Sequence, residues 1–268
     1  MQKDSFTGTL VVAGLICIVC SFFVSGAAIT LKDKQEENKV LDIKKNLLLA
    51  SGLAKDSKIT EEEIEIAFQN IQAQVIDLET GDVLEDIAPE SFNQRKAAKD
   101  QTMNKTISAE DDVAGIKQRS KYAKIYKVID TDQQTTQMYI FPIHGKGLWS
   151  TLYGFLALDN DLQTVKGIGF YEHAETPGLG GEVDNPQWKA TWQGKKIYDE
   201  DFEVRLHLIK GKVSESDSQN LFKIDGLSGA TITSNGVTHL IDYWFGHDGF
   251  KPFIAKHLQQ EGSLSWKK

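Results

Sequence analysis

The chain has 268 residues and a formal net charge of -8, with 40% hydrophobic and 25% charged residues. This composition excludes a disordered, collagen-like or disulfide-scaffold protein. The length suffices for one large domain or two smaller units with a substantial core. Because nucleic acids attract basic surfaces, the acidic balance argues against a nucleic-acid partner.

An uncharged apolar run, LVVAGLICIVCSFFVSGAAI, occupies residues 10–29 near the N-terminus. As a helix, twenty residues span about 30 Å, the thickness of the hydrocarbon core of a bilayer. We therefore predict a short segment over 1–9 and a lipid-embedded transmembrane helix over 10–30. The alternative is a cleavable signal peptide with Ser25 and Ala27 at its cleavage site, although the run is long for such a peptide.

The same run contains both cysteines of the chain, Cys17 and Cys20. The rest of the chain therefore has no disulfide and no thiolate metal ligand. A CxxC spacing is also found in metal and redox sites, but in a membrane span both residues fit as small apolar side chains. Lysines flank both ends of the run, and counting them favours a cytoplasmic body, although that rule is weak for long domains.

Residues 31–121 are predicted to form a juxtamembrane helical region followed by a linker. Thr60 and Glu63 make a TxxE capping box, which indicates the start of a helix. Residues 77–121 are mostly polar and indicate an excursion or linker. The apolar face predicted for the capped helix consists of Ile64, Ala67, Phe68, Ile71 and Val75.

From residue 122 onwards the pattern changes to short β-rich runs, and we predict a domain over 122–268. The runs are YAKIYKVI, QMYIFPI, YGFLALD, VKGIGFYE and, at 203–210, EVRLHLIK. Helical spacing returns between Val237 and Trp244 and again between Phe250 and Leu258. The predicted fold class is α+β, with a mixed or antiparallel sheet and flanking helices behind one transmembrane helix.

The segment DGLSGATITSNG, residues 225–236, opens the first of these C-terminal helices. Unpaired backbone N–H groups and the helix dipole make such a helix start a suitable phosphate site. The segment also offers hydroxyl groups on Ser228, Thr231, Thr233 and Ser234. A plain helix cap is the alternative interpretation of the same residues.

A second segment, HAETPGLGGEV at 173–183, follows a predicted strand. Its glycines permit close approach of a ligand, but it lacks the GxGxxG spacing of a Rossmann or P-loop site. His173 and Glu175 are possible metal ligands. With no third partner at useful spacing, we expect them to bind a ligand or form structural hydrogen bonds, and we predict no metal site.

A third segment, HGKGLWSTLYG at 144–154, places Trp149 after two glycines. This arrangement can form one side of a binding site for a flat aromatic ring, or it can be a hairpin with a core tryptophan. Lys210, Gly211 and Lys212 form a basic turn, which is either a solvated hairpin or a phosphate partner. GxSxG and HExxH patterns are absent from the sequence, which argues against a self-sufficient hydrolase.

Together the three segments, behind one apolar span, resemble the FMN-binding domain family of bacterial ion-pumping redox complexes. The resemblance covers nearly the whole chain and is nearest to the C subunits of sodium-translocating NADH:quinone oxidoreductases. In that family a flavin transferase attaches FMN through a phosphoester to the last threonine of Asp-x-x-Ser/Thr-Gly-Ala-Thr. The residues that this resemblance and the motif assign to FMN are Thr231, as the covalent carrier, and Asp225, Ser228, Gly229, Ala230, Thr233, Trp149, Thr176, Leu179 and Gly180.

The resemblance implies a one-electron relay within a membrane complex that couples NADH oxidation by quinone to sodium export. The expected partners are the other subunits, which hold the NADH, quinone and sodium sites, and the flavin transferase. We do not expect the chain to be active alone. The family has its flavin domain on the periplasmic side of the inner membrane, opposite to the side favoured by the lysine count.

Two alternatives remain at this point. The G subunit of a ferredoxin-linked Rnf complex shares the domain and the threonine motif, but the excursion over 40–121 and the wording LSGATITSNG favour the quinone reductase. A non-catalytic membrane-anchored module, in which SGATIT is merely a helix cap, is the alternative from another class of protein.

Overall fold

The computed structural model describes residues 6–54, 58–130 and 132–260, and contacts divide the chain into two units, 1–43 and 44–268. The first unit consists of most of helix α1, Phe6–Ser51, whose last residues belong to the second unit. The predicted span and juxtamembrane helix are thus one continuous helix. Within the described ranges, α1 is the one helix long and apolar enough to cross a membrane. Residues 1–5 of the predicted N-terminal segment lie outside the described residues.

The second unit combines a sheet with short helices, as the α+β prediction requires. The helices after α1 are α2 (Glu61–Phe68), α3 (Gln94–Ala97), α4 (Pro186–Ala190), α5 (Thr231–Phe245) and α6 (Lys251–Gln260). The strands are β1 (Ile71–Asp77), β2 (Val83–Leu84), β3 (Asn104–Thr106), β4 (Gln118–Ser120), β5 (Tyr122–Asp130), β6 (Thr135–Lys146), β7 (Thr151–Asp159), β8 (Val165–Glu172), β9 (His207–Leu208) and β10 (Lys223–Ile224).

A six-stranded antiparallel sheet with the order β2-β1-β5-β6-β7-β8 forms the centre of this unit. The four β-rich runs between residues 122 and 172 are confirmed as β5 to β8. The strand predicted over 203–210 is mostly wrong, because only β9 is a strand there and it pairs in parallel with β10. The two C-terminal helices are confirmed, and α5 starts earlier than its apolar residues indicate, at Thr231.

Helix α2 begins with the predicted capping box: Thr60 N–H donates to the Glu63 carboxylate at 2.8 Å, and Glu63 N–H donates to Thr60 Oγ1 at 3.3 Å. The prediction that its apolar face continues to Val75 is wrong, because the helix ends at Phe68 and β1 follows. Seven residue pairs join β1 to β5. A short apolar run is compatible with the period of an α-helix and with that of a β-strand. Pairing with a neighbouring strand decides between the two.

The polar stretch over 77–121 is tied to the sheet at several points. It supplies β2 at the sheet edge and a two-stranded hairpin of β3 and β4. Phe92 and Ala97 pack with Val75 of β1 in a small second core. The domain limits at residues 30 and 121 remain predictions, although pairing of β1 with β5 shows that the sheet takes residues from both sides of position 121.

Helices α5 and α6 cover one face of the sheet and bury the main core with it. Its largest fully buried side chains include Trp192, Trp244, Tyr139, Phe141 and Phe245. Burial of large aromatic side chains contributes about 1.5–3 kcal/mol for each such residue. On β8, Gly169 faces the end of α1, where a Cβ would lie 3.1 Å from the Ala50 Cβ.

The position of α5 is set by close contact with β6. A Cβ on Gly145 would lie 2.6 Å from Leu240 Cβ, and a Cβ on Gly236 would collide with the backbone oxygen of Lys146. Trp244 Nε1 donates to the His144 carbonyl at 2.6 Å. These contacts place the first turn of α5 beside the hairpin that joins β6 to β7.

We expect Gly236→Ala to destabilise the protein by about 1–3 kcal/mol, because the added methyl group pushes α5 away from β6. Urea unfolding of the full chain in detergent, followed by tryptophan fluorescence, measures the effect. Asn235→Ala is the matched control: Asn235 is exposed on the same helix, so its replacement leaves the packing intact. If the two variants were equally stable, the close approach of α5 to β6 would not require a glycine at position 236.

Candidate functional site

The three segments singled out in the sequence meet at the carboxylate of Glu175. It accepts hydrogen bonds from the backbone N–H groups of Leu148, Trp149 and Ser150 at 3.3, 3.0 and 3.2 Å. It also accepts one from the Thr233 hydroxyl at 2.7 Å. A single side chain of the second segment therefore joins the β6–β7 hairpin to the first turn of α5.

The Glu175 carboxylate is stabilised in its ionised form. Burial raises its pKa, but hydrogen bonds from Thr233 and from the three backbone N–H groups outweigh burial, so the pKa lies below its ordinary value. Hydrogen bonds to a charged acceptor are stronger than those between neutral groups. The site thus contains a carboxylate that is negatively charged at neutral pH.

The close packing around this carboxylate requires a glycine at position 180. A Cβ there would lie 2.6 Å from Thr233 Oγ1 and 2.7 Å from Glu175 Oε2. Gly180 is buried and begins a short 3-10 helix that ends at Asp184. The absence of a side chain at Gly180 therefore lets the second segment approach α5 closely.

The sequence motif of residues 225–231 forms the turn into α5. Thr231 is the first residue of the helix, and the preceding Ala230 provides no side-chain cap. Within the described ranges, the exposed Thr231 side chain has no hydrogen-bond partner, whereas the Ser234 hydroxyl accepts from Leu227 N–H at 3.0 Å. The helix-cap interpretation therefore does not apply to Thr231, whose hydroxyl is exposed.

The start of the motif is anchored to neighbouring segments. Asp225 Oδ1 accepts from Val213 N–H at 2.8 Å, and its carbonyl accepts from Trp188 Nε1 at 2.8 Å. Gly226 N–H donates to Gly211 of the basic turn at 2.8 Å. Ser228 and Gly229 are exposed, and Ala230 is buried. The turn is therefore fixed by hydrogen bonds at its beginning and exposed to solvent in its middle.

Large apolar side chains are exposed in all three segments. The exposed fractions are 66% for Trp149, 44% for Leu179 and 58% for Ile232. The alternative of a core tryptophan at 149 is therefore wrong: the segment is a hairpin loop, but its indole faces solvent. Leu179 reaches the motif, since a Cβ on Gly229 would lie 2.9 Å from its Cδ2. Thr176 is also exposed.

His173 and Glu175 form hydrogen bonds, in line with one of the two expected roles. His173 Nδ1 accepts from Glu175 N–H at 3.2 Å, so Nε2 carries the proton and donates to Asp184 at 2.8 Å. Among the described residues, no group of three or more His, Cys, Asp or Glu side chains could hold a metal ion. The linking role of Glu175 has no signal in the sequence, because its partners come from distant segments.

A separate cavity of about 470 Å³ lies near the same strand ends, lined by residues that include Arg95, His144, Tyr153 and Tyr171. The Arg95 guanidinium stacks on Tyr153, with 3.5 Å between Cζ and the ring centroid, and pairs with Glu172 at 2.8 Å. Burial, and secondarily Arg95, lowers the pKa of His144 to about 4. His144 therefore lines this cavity as a neutral ring.

Comparison with known proteins agrees with the fold. The FMN-binding domain family matches residues 147–246, the stretch that contains Trp149, Glu175 and Thr231. The crystal structure of Shewanella oneidensis NqrC has 34% identity and a TM-score of 0.72, covering 81% of this chain and 96% of that one. The C subunit of the Na+-translocating NADH-quinone reductase from Parabacteroides distasonis has 25% identity and a TM-score of 0.60, with 82% and 94% covered.

Full-length relatives give the same result. The C subunit of the Na+-translocating NADH-quinone reductase from Pseudomonas aeruginosa is 45% identical over 254 residues, 95% of this chain and 97% of the relative. The Vibrio alginolyticus protein of the same name is 43% identical over 255 residues, 95% and 96% of the two chains. The resemblance drawn from the three motifs is confirmed: the chain belongs to the family of C subunits of the Na+-translocating NADH-quinone reductase.

Proposed function

We propose that the chain is an electron-transfer subunit of a Na+-translocating NADH-quinone reductase and carries FMN through a phosphoester on Thr231. The observation that carries this proposal is the difference between the hydroxyl groups at the start of α5. Thr233 and Ser234 are buried and hydrogen-bonded, whereas Thr231 is exposed at the uncapped end of the helix. Of these three hydroxyl groups, that of Thr231 is the one exposed to a transferase.

The residues around Thr231 fit both ends of FMN. Backbone N–H groups in the first turn of a helix lack intrahelical partners, and with the helix dipole they favour a phosphate. The exposed Trp149 and Leu179 side chains offer apolar surface to a flat ring. When bound, FMN supplies one-electron redox chemistry, which no side chain of this site provides.

The chain itself holds and positions the cofactor in this proposal. Thr231 provides the covalent bond, and the first turn of α5 stabilises the phosphate charge. Gly180 and Glu175 keep two segments in place: the second segment, and the loop over 147–150 between β6 and β7, which we call the Trp149 loop. Because these apolar side chains are exposed, a ring lying on them stays near the surface, where a redox partner can approach.

Helix α1 would anchor the protein in the bacterial inner membrane, in contact with lipid, and the flavin domain would lie on the periplasmic side. The length and apolar composition of α1 support the anchor. The names of the relatives support assembly with other subunits of the reductase. We assign NADH, quinone and sodium binding to those subunits, and attachment of FMN to a separate flavin transferase.

We expect Thr231→Ala to lose covalent flavin completely when the full chain is produced with an active flavin transferase, because no oxygen remains to form the phosphoester. Ultraviolet in-gel fluorescence of the denatured chain and peptide mass mapping measure the attachment. Thr238→Ala is the matched control: it makes the same change further along α5, at a hydroxyl that accepts from Leu208 N–H at 3.0 Å, and should retain the fluorescent band.

Two results would contradict the attachment. One is a dark wild-type band in the presence of the active transferase. The other is a fluorescent Thr231→Ala band, which would assign the flavin to another residue. Mass mapping of the labelled peptide over 225–236 distinguishes a displaced attachment from non-covalent carry-over.

We expect the flavin domain to be labelled from the periplasm. Ser218→Cys, at an exposed position, is placed in a chain that also carries Cys17→Ser and Cys20→Ser. A membrane-impermeant maleimide should label it fully in intact spheroplasts. Gln2→Cys in the same background, before the apolar run, should react only after lysis. The reverse pattern would place the domain in the cytoplasm, as the lysine count favours.

A further inference from the structure

We propose that Glu175 is a positioning residue whose charge lowers the reduction potential of the flavin, an inference that rests on the proposed attachment at Thr231. The residue is 5% exposed, and its side chain joins the Trp149 loop to the first turn of α5. The Thr233 hydroxyl that binds it belongs to the residue two positions after Thr231. The carboxylate is thus built into the attachment site itself.

The charge of Glu175 is stabilised by neutral donors. Three backbone N–H groups and one hydroxyl hold the carboxylate. Dipoles stabilise a negative charge at short range but leave its long-range field largely in place, whereas a paired cation would cancel it. Glu172, three residues earlier, shows the contrast: Arg95 pairs with it at 2.8 Å, and 43% of its side chain is exposed.

This field acts on an electron added nearby. Reduction adds negative charge to a flavin, and a fixed carboxylate disfavours that charge through Coulomb repulsion. The positive end of the α5 dipole acts in the opposite direction. Glu175 would therefore offset the helix dipole and keep the flavin able to pass its electron on. The same hydrogen bonds hold the Trp149 loop. The position of this loop and the electrostatic field at the flavin therefore both depend on the Glu175 carboxylate.

The site allows the charge to be removed with little change in shape. In Glu175→Gln, the amide oxygen can accept from Trp149 and Ser150 N–H, and the amide nitrogen can donate to the Thr233 hydroxyl, which can also act as an acceptor. The 3.3 Å bond from Leu148 N–H is lost, and the Thr233 hydroxyl changes from donor to acceptor. The substitution is therefore a test of charge rather than of packing.

Two controls separate charge from local structure. Glu172→Gln removes a charge that is already paired with Arg95 and partly exposed. Ser150→Ala removes the hydroxyl that accepts from Ala174 N–H at 2.8 Å, which disturbs the same loop without changing charge. Each full chain is produced with an active flavin transferase, checked for in-gel fluorescence, and titrated by spectroelectrochemistry.

At the wild-type midpoint potential, we expect Glu175→Gln to shift the ratio of reduced to oxidised flavin by roughly tenfold toward the reduced form. Glu172→Gln and Ser150→Ala should change it by less than about twofold. An unchanged ratio in Glu175→Gln, or an equal shift in Ser150→Ala, would overturn the inference.

The fluorescence step separates the two proposals. A dark Glu175→Gln band beside a bright wild-type band also overturns the inference, because the carboxylate would then serve attachment rather than potential. A dark wild-type band overturns the attachment at Thr231 and this inference together.

Discussion

The carboxylate of Glu175 accepts hydrogen bonds from three successive N–H groups of the β6–β7 hairpin and from the Thr233 hydroxyl of α5. Two loops without regular structure acquire fixed positions through these bonds, because a buried charge with satisfied donors is costly to separate from them. This side chain links the second segment and the loop that carries the exposed Trp149 to the first turn of α5, which begins at Thr231. The geometry of the candidate site follows from it.

The sheet and α5 provide the rigid frame for that interaction. Gly145 of β6 and Gly236 of α5 let the helix approach the sheet closely, and the bond from Trp244 to His144 joins the two elements. Side chains on helices and strands are positioned more accurately than side chains on free loops. The first turn of α5 is thus presented to the hairpin at a defined distance, and its first residue, Thr231, is exposed.

A covalent tether is compatible with this open arrangement. A non-covalent cofactor needs a concave pocket that covers most of its surface. The apolar side chains of Trp149, Leu179 and Ile232 are between 44% and 66% exposed, and such an open surface would hold a free ligand weakly. A phosphoester bond removes the requirement for affinity and keeps the local concentration of the cofactor high. The ring can then stay accessible to a redox partner, and nearby charges such as Glu175 can act on its potential.

The sequence by itself determined the apolar span, the capped helix α2, the strands β5 to β8 and the threonine motif, since each depends on local spacing or on a pattern of neighbours. Only the tertiary structure decided that Ile71–Asp77 is a strand, that Trp149 is exposed, and that residues 203–210 form little sheet. It also assigned the linking role to Glu175. The physical reason is the same in each case: strand pairing, burial and hydrogen bonding to a carboxylate depend on partners that lie far away in the chain.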